Sequence, residues 1–193
     1  VYYQVTRGTG VRDHAYTKGP GNLWIMLKPA EISDGIEPIK LITVEDTRFL
    51  HCNIKTLNLI PSCVATEKAK KAGCQEAVFY RAGGRVTECA HSNVHIIKDG
   101  KLVTAPTDNL ILPGIARAHL ISMCKKLGIS VSETPYTLKE LFEAEEVLVT
   151  SSSNLCLYAC EIDGKPVGGK NPELLEKIRS ALLGEFYEKT AVE

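Results

Sequence analysis

The chain has 193 residues, which is enough for one domain or for one domain and part of another. Lysine plus arginine and aspartate plus glutamate each number 23, so the formal net charge is zero and no overall field favours nucleic acid or an anionic membrane. No apolar run is long enough to cross a bilayer, and the first residues lack the basic and then apolar pattern of a signal peptide. We therefore expect a globular protein that binds neither nucleic acid nor a membrane.

The seven cysteines are odd in number and include no CxxC pair. This usage fits reduced thiols in a cytosol better than a disulfide framework, so we expect a cytoplasmic protein, with an organelle as the open alternative. Cys156 and Cys160 are four residues apart and have no second cluster nearby in sequence. We expect buried or half-buried thiols there, and we predict no metal site.

The first 29 residues predict two strands joined by a glycine-rich loop. Residues 1–8 alternate in polarity and are rich in valine and tyrosine, which is typical of a strand. Residues 8–21 form the loop, and residues 22–29 form the second strand.

A polar stretch bracketed by Pro29 and Pro38 predicts a linker. We place a domain boundary near residues 29–38. Residues 1–33 are then the remnant of a small N-terminal domain together with its linker, and residues 34–193 form a large C-terminal domain.

The rest of the chain alternates short strands with helices. Gly83-Gly84 and Asp99-Gly100 are hairpin turn signals, and Gly73 ends a predicted helix. Together these patterns indicate a mixed α/β domain. The predicted strands are 40–46, 76–81, 84–90, 93–100, 101–106, 129–135, 145–150 and 154–164, and the predicted helices are 62–74, 115–128, 137–144 and 171–191.

Lys55 lies among Ile54, Leu57, Leu59 and Ile60, whose apolar side chains predict a segment that enters the core. A lysine is rarely buried without a partner. In one interpretation its stem packs while its ammonium group reaches water. In the other, the amine is held in a pocket, partly desolvated, where it can form an imine. Lys55 alone does not distinguish the two.

Glu88 closes a predicted strand beside Cys89 and Ala90. A carboxylate there is either exposed or bonded to a partner. One such partner is a pyridine nitrogen, because a neighbouring carboxylate keeps it protonated and makes the ring an electron sink. Ser92 and Asn93 follow and offer short-range hydrogen bonds. Taken alone, Glu88 is equally well explained as a turn residue.

Two segments have the chemistry of a phosphate site. The proline–glycine pair 113–114 precedes a predicted helix, and its first amides, at Ile115 and Ala116, have no intrahelical partner and so favour an anion. Ser151 and Ser152 follow a predicted strand and offer hydroxyl and amide groups. An ordinary helix start and an ordinary loop are the alternatives.

In this order the four segments resemble the class IV fold of pyridoxal-phosphate enzymes. That group contains D-amino-acid aminotransferase, branched-chain aminotransferase and aminodeoxychorismate lyase, and the closest likeness is to D-amino-acid aminotransferase. The resemblance implies that Lys55 is the catalytic lysine that binds the cofactor covalently, that Glu88 pairs with the pyridine nitrogen, and that Arg48 lies in the active site. It also implies that the other cofactor-binding residues are Ser92, Asn93, Leu112, Gly114, Ile115, Ala116, Ser151 and Ser152.

An Arg-x-His pair binds the substrate α-carboxylate in D-amino-acid aminotransferases, and Arg12 and His14 match it. The planar fork of arginine suits a carboxylate. The resemblance therefore implies transamination of a D-amino acid, such as D-alanine, with a 2-oxo acid such as 2-oxoglutarate.

The implied fold is that of a type IV pyridoxal-phosphate enzyme, with a C-terminal pseudo-barrel domain and the tail end of a truncated N-terminal domain. The cofactor is pyridoxal 5'-phosphate, the partners are an amino acid and a 2-oxo acid, and a homodimer is expected. Because chains of this family begin before residue 1, we expect this chain by itself to bind the cofactor weakly and to have little activity.

Two alternatives stay open. The triplet Thr87-Glu88-Cys89 also resembles the lyase subgroup, so aminodeoxychorismate lyase or branched-chain aminotransferase activity is possible within the same family. The alternative of another class is a catalytically silent binding or scaffold form.

Overall fold

The computed structural model describes residues 1–29 and 37–190. The chain divides into two compact units, Val1–Ile32 and Ser33–Glu193. Most of the predicted linker lies outside the described residues, so the assignment of residues 1–33 and 34–193 to two domains stays a prediction. Within the described residues, no helix is long and apolar enough to cross a membrane.

The first unit contains an antiparallel pair of strands. The two strands, β1 (Tyr2–Thr6) and β2 (Asn22–Met26), pair so that Tyr2 lies opposite Met26. Both predicted strands are confirmed, and each is shorter than predicted. Every residue of β2 is exposed, and a ribbon of two strands has little stability without an apolar face packed against another element.

The second unit contains nine strands and four helices among its described residues. The strands are β3 (Ile39–Glu45), β4 (Glu76–Arg81), β5 (Arg85–Cys89), β6 (Asn93–Lys98), β7 (Lys101–Thr104), β8 (Val131–Glu133), β9 (Glu146–Thr150), β10 (Leu157–Ile162) and β11 (Lys165–Pro166). The helices are α1 (Ile60–Lys71), α2 (Ile115–Lys126), α3 (Leu138–Glu143) and α4 (Pro172–Thr190).

The strands form one sheet that curls until its two edges meet. Its order is β5-β4-β3-β10-β9-β6-β7-β8, with β11 paired to β10. Beyond β8 the chain returns to β5, where the amide of Val86 donates to the carbonyl of Tyr136 at 2.9 Å and Arg85 pairs with Thr137. This closure is the predicted pseudo-barrel, and the mixed α/β fold class is confirmed.

Three apolar clusters hold the unit together. The first fills the barrel and includes the fully buried Tyr136, whose hydroxyl donates to the carbonyl of Val94 at 3.1 Å. The second packs α2 and α4 against the outside of β6, β7 and β9, and Leu120 and Ile178 are fully buried in it. The third packs α1 on β3 and β4 through Ala65 and Ala69. Burial of these apolar side chains is the main favourable contribution to folding.

The two hairpins turn at residues whose backbone adopts a positive φ angle. Asp99 and Gly100 both have positive φ, 52° and 66°, as a tight hairpin with the right-handed strand twist requires. They join β6 to β7 with Lys98 opposite Lys101. Gly83 and Gly84, at φ 72° and 73°, turn the chain from β4 into β5. Both predicted hairpins are confirmed.

One predicted strand is wrong at its start. Residues 154–164 were expected to be extended, but β10 begins only at Leu157. The preceding residues form a turn in which the amide of Ser151 donates to the carbonyl of Asn154 at 3.0 Å. The backbone groups that bond within this turn are ones that a strand would use to pair with its neighbour, so the strand starts later.

Candidate active site

A pocket of about 240 Å³ lies at one end of the barrel in the second unit. It is lined by the segment before α1, the β5–β6 connection, the start of α2 and the turn after β9. The structure brings together on this pocket all eleven residues of the predicted cofactor site: Arg48, Lys55, Glu88, Ser92, Asn93, Leu112, Gly114, Ile115, Ala116, Ser151 and Ser152. Their individual roles stay predictions.

Glu88 is held at the pocket by three groups. One oxygen accepts a hydrogen bond from Arg48 Nη1 at 2.6 Å. The other accepts from the amide of Leu112 at 3.0 Å and from Asn93 Nδ2 at 3.1 Å. Glu88 is only 5% exposed, and a buried carboxylate is stable only with such partners. Burial raises the pKa of Glu88, while the charge and hydrogen bond of Arg48 oppose that rise.

Arg48 is itself held by a second buried carboxylate, Asp46, which the sequence analysis did not identify. Arg48 Nε and Nη2 donate to the two oxygens of Asp46 at 2.9 and 3.0 Å, a bidentate pair. Arg81 Nε adds a third charged bond at 3.1 Å. Burial alone would raise the pKa of Asp46, but the hydrogen bonds and charge of Arg48 hold it below its ordinary value.

Lys55 lines the pocket, but the prediction that its apolar neighbours enter the core is wrong. The apolar residues around it are exposed: Ile54 by 57%, Leu57 by 54% and Leu59 by 46%. Lys55 is exposed as well. The segment runs along the pocket wall as turns instead of entering the core, which makes the Lys55 amine accessible from the pocket.

The start of α2 is shaped by a close contact between two segments. Gly114 is the N-cap residue, and no side chain caps the helix, so the first amides of α2 lack the partner that a capping side chain would provide. A β-carbon on Gly114 would collide with Oδ1 of Asn93. The Nδ2 of Asn93 also donates to the carbonyl of Leu112 at 3.0 Å. Only glycine lets the helix start approach the residues that hold Glu88.

The turn after β9 places Ser151 and Ser152 on the pocket. The hydroxyl of Ser151 accepts from the amide of Asn154 at 3.2 Å. Thr150, also on the pocket, is hydrogen-bonded at 2.9 Å to the fully buried His95, whose other ring nitrogen contacts Thr104 at 2.7 Å. Burial lowers the pKa of His95 to about 3, so this histidine is neutral and anchors Thr150.

His91 is a further pocket residue that the predicted site did not include. Its Nδ1 forms an ion pair with the buried carboxylate of Glu76. Ser92 Oγ donates to the same oxygen of Glu76 at 3.0 Å. No local sequence signal reveals this contact, because Glu76 opens β4 and His91 follows β5.

Arg12 and His14 lie in the first unit, where both are exposed. The amide of His14 donates to the side chain of Asp13 at 2.7 Å. Their predicted role in binding a substrate carboxylate stays a prediction.

The donor set on the pocket fits pyridoxal phosphate. A primary amine, a buried carboxylate fixed by an arginine, an uncapped helix start and a serine-bearing turn line the same cavity. The amine suits an aldehyde, the carboxylate suits a pyridine nitrogen, and the helix start and the turn suit a phosphate.

Comparisons with known proteins agree with this interpretation. The family model "Amino-transferase class IV" matches residues 1–162. A D-alanine aminotransferase of Listeria monocytogenes serotype 4b (strain F2365) is 39% identical over an alignment of 195 positions, which covers 97% of this chain and 67% of that protein. The chain thus spans about two thirds of the length of this relative.

Solved structures show the same fold. A Legionella pneumophila protein described as a putative 4-amino-4-deoxychorismate lyase superposes with a TM-score of 0.80 at 25% identity, over 95% of this chain and 68% of that one. The branched-chain amino acid aminotransferase of Escherichia coli gives a TM-score of 0.72 at 25% identity, over 90% of this chain and 59% of that one. A T.th. branched-chain amino acid aminotransferase, complexed with N-(5'-phosphopyridoxyl)-L-glutamate, superposes with a TM-score of 0.69 at 28% identity. The match covers 75% of this chain and 51% of that one. The predicted family is confirmed: the chain belongs to the class IV aminotransferases.

Proposed function

We propose that this chain is the pyridoxal-phosphate-binding part of an enzyme that transaminates D-amino acids, such as D-alanine, with a 2-oxo acid such as 2-oxoglutarate. The proposal depends on one observation: Lys55, the Arg48–Glu88 pair and the start of α2 line the same pocket. The name of the Listeria relative, D-alanine aminotransferase, supports the choice of substrate.

The cofactor would be held by groups that the pocket already presents. Lys55 would bind the aldehyde carbon, Glu88 would accept a hydrogen bond from the pyridine nitrogen, and Leu112 would lie against the ring. The amides of Ile115 and Ala116 and the hydroxyls of Ser151 and Ser152 would bind the phosphate, because free amides at a helix start favour an anion. Arg48 and Asn93 keep Glu88 in place.

When bound, pyridoxal phosphate supplies a carbonyl that captures the substrate amine and a ring that draws electrons from its Cα. Lys55 Nζ would take the proton from Cα as general base and return a proton as general acid. The exposure of Lys55 on the pocket wall leaves the amine room to move between these positions. Arg48 favours the charged form of Glu88, which is the form that stabilises a protonated ring nitrogen.

Arg12 and His14 would bind the α-carboxylate of the substrate, in keeping with the resemblance to D-amino-acid aminotransferases. We also propose the division into residues 1–33 and 34–193, a homodimer, and a reducing compartment such as the cytoplasm. The last point is supported by the seven cysteines, all of which are free thiols.

Substrate assays with added pyridoxal phosphate, made on the whole enzyme of which this chain is proposed to be a part, test the proposal. We expect transfer of the amino group from D-alanine to 2-oxoglutarate. Transamination of L-leucine without D-alanine turnover would identify a branched-chain aminotransferase instead. Pyruvate release from aminodeoxychorismate would identify the lyase activity that the triplet Thr87-Glu88-Cys89 leaves open.

A spectroscopic measurement addresses the non-enzymatic alternative. Adding pyridoxal phosphate should produce an absorbance band near the edge of the visible range. A protein that gives no such band and turns over none of these substrates would be a silent binding or scaffold form.

A further inference from the structure

His91 reaches from the protein interior to the pocket. Its Nδ1 forms an ion pair with Oε2 of Glu76, whose side chain is 3% exposed, whereas the side chain of His91 is 62% exposed. The imidazole therefore has one nitrogen fixed against a buried carboxylate, while the ring itself lines the pocket.

Two further hydrogen bonds fix Glu76. Ser92 Oγ donates to Oε2 at 3.0 Å, and the amide of Ala77 donates to Oε1 at 2.9 Å. As the acceptor of the contact with His91, Glu76 orients the imidazole with its proton on Nδ1. Among the described residues, Nε2 of His91 has no hydrogen-bond partner.

The surrounding charges favour a cationic ring. The hydrogen bond to Glu76 raises the pKa of His91, while partial burial and the charge of Lys70 on α1 lower it to a lesser extent. The other charged groups on the pocket are Lys55, Arg48 and Glu88, and the last two are already paired at 2.6 Å. Since the proposed function commits Lys55 to the cofactor and Arg12 and His14 to the substrate α-carboxylate, Nε2 of His91 is the cationic donor on the pocket that is left for a second substrate carboxylate.

We propose that His91 is a specificity-determining residue whose Nε2–H binds the side-chain carboxylate of a dicarboxylic substrate such as 2-oxoglutarate. The inference rests on the proposed function and names the substrate class of the same pocket. A second carboxylate gains a charge-assisted hydrogen bond at this position, whereas an uncharged side chain of similar length gains none. Glu76 acts through His91, as its positioning residue.

A binding experiment tests the contact without turnover. Histidine resonances of the protein loaded with pyridoxal phosphate are titrated by NMR with glutarate, which has two carboxylates and no reacting group, or with butyrate, which has one. The chain has five histidines, and the spectrum of His91→Gln assigns the resonance of His91. Glutarate, but not butyrate, should raise the pKa of His91, because a ligand that prefers the charged ring stabilises it reciprocally.

Kinetics of the whole enzyme test the consequence for specificity, with D-alanine as donor and 2-oxoglutarate or 2-oxobutyrate as acceptor. His91→Gln should lower kcat/KM for 2-oxoglutarate about fivefold to tenfold, mostly through KM, and should change the value for 2-oxobutyrate less than about twofold. His91→Lys keeps a cation at this position. It should extend the preference for 2-oxoglutarate over 2-oxobutyrate to pH values at which the histidine is neutral. His119→Gln, on α2 and outside the pocket, is the matched control.

The outcomes separate this inference from the proposed function. If His91→Gln lowers kcat/KM equally for both acceptors, or if glutarate does not change the pKa of His91 in an active enzyme, the inference is wrong. Either result is still compatible with the transaminase function. A whole wild-type enzyme that transaminates neither acceptor refutes the function. The glutarate titration then still decides whether His91 binds a dicarboxylate.

Discussion

Replacing Arg48 with methionine should strongly destabilise the barrel, because it leaves two buried carboxylates without their shared cation. Arg48 bonds to Glu88 at 2.6 Å and to Asp46 at 2.9 and 3.0 Å, and the side chains of both carboxylates are at most 7% exposed. Breaking a buried pair costs about 3–5 kcal/mol. Asp46 keeps Arg81, and Glu88 keeps two neutral donors, so we expect the lower end, about 3 kcal/mol.

The loss should also depend on pH. Without Arg48, burial acts on Glu88 with less opposition, so its folded-state pKa rises further above the unfolded value. A group with a raised folded pKa contributes stability below its unfolded pKa and loses it as the pH rises through the folded pKa. The deficit of Arg48→Met relative to wild type should therefore be larger at pH 8 than at pH 5.

Urea unfolding at the two pH values, with linear extrapolation to water, measures both effects. Lys71→Met is the matched control, since Lys71 pairs with Glu67 at 3.7 Å on the exposed face of α1 and should contribute little. A loss for Arg48→Met no larger than that of the control would refute the reasoning. A loss that is the same at both pH values would refute the part that concerns Glu88.

Three further predictions concern the pocket and its substrate. Lys55→Ala should lose the borohydride-reducible adduct with pyridoxal phosphate, which peptide mapping detects. In the active whole enzyme of which this chain is proposed to be a part, Arg12→Leu should lower kcat/KM for D-alanine roughly tenfold or more, because a charge-assisted hydrogen bond contributes about 1.5–3 kcal/mol. Gly114→Ala should weaken cofactor binding and lower the free energy of unfolding by about 1–3 kcal/mol, because its β-carbon would displace Asn93. Gly184→Ala on α4, where nothing lies within 4 Å of the added carbon, is its control.

Each of these three predictions would be contradicted by a specific result. An adduct mapped to another lysine would remove Lys55 from its role. An unchanged kcat/KM in Arg12→Leu would remove the main reason, within the sequence, for preferring a D-amino acid. Equal stability and equal cofactor affinity in Gly114→Ala and Gly184→Ala would mean that the close approach at the start of α2 is unimportant.

Local sequence was sufficient for the elements whose geometry depends on a few neighbouring residues. The Asp99-Gly100 turn follows from residues that tolerate positive φ, and the start of α2 follows from Gly114. Eleven residues of the pocket were also identified in advance, but through the resemblance of four ordered segments to a known family and not through physical reasoning on this sequence. The apolar neighbours of Lys55 predicted a segment that enters the core, and this prediction was wrong.

The sequence by itself thus determined the turns and most of the strands and helices, and its resemblance to a known family identified eleven residues of the pocket. Only the tertiary structure decided how the pocket groups pair. Arg48 meets Glu88 across 40 residues of chain, and Glu76 meets His91 because β4 and β5 are adjacent in the sheet. It also decided that Lys55 lies exposed on the pocket wall. The physical reason is that backbone propensities act over a few residues, whereas burial and charge pairing depend on which distant segments the curled sheet brings together.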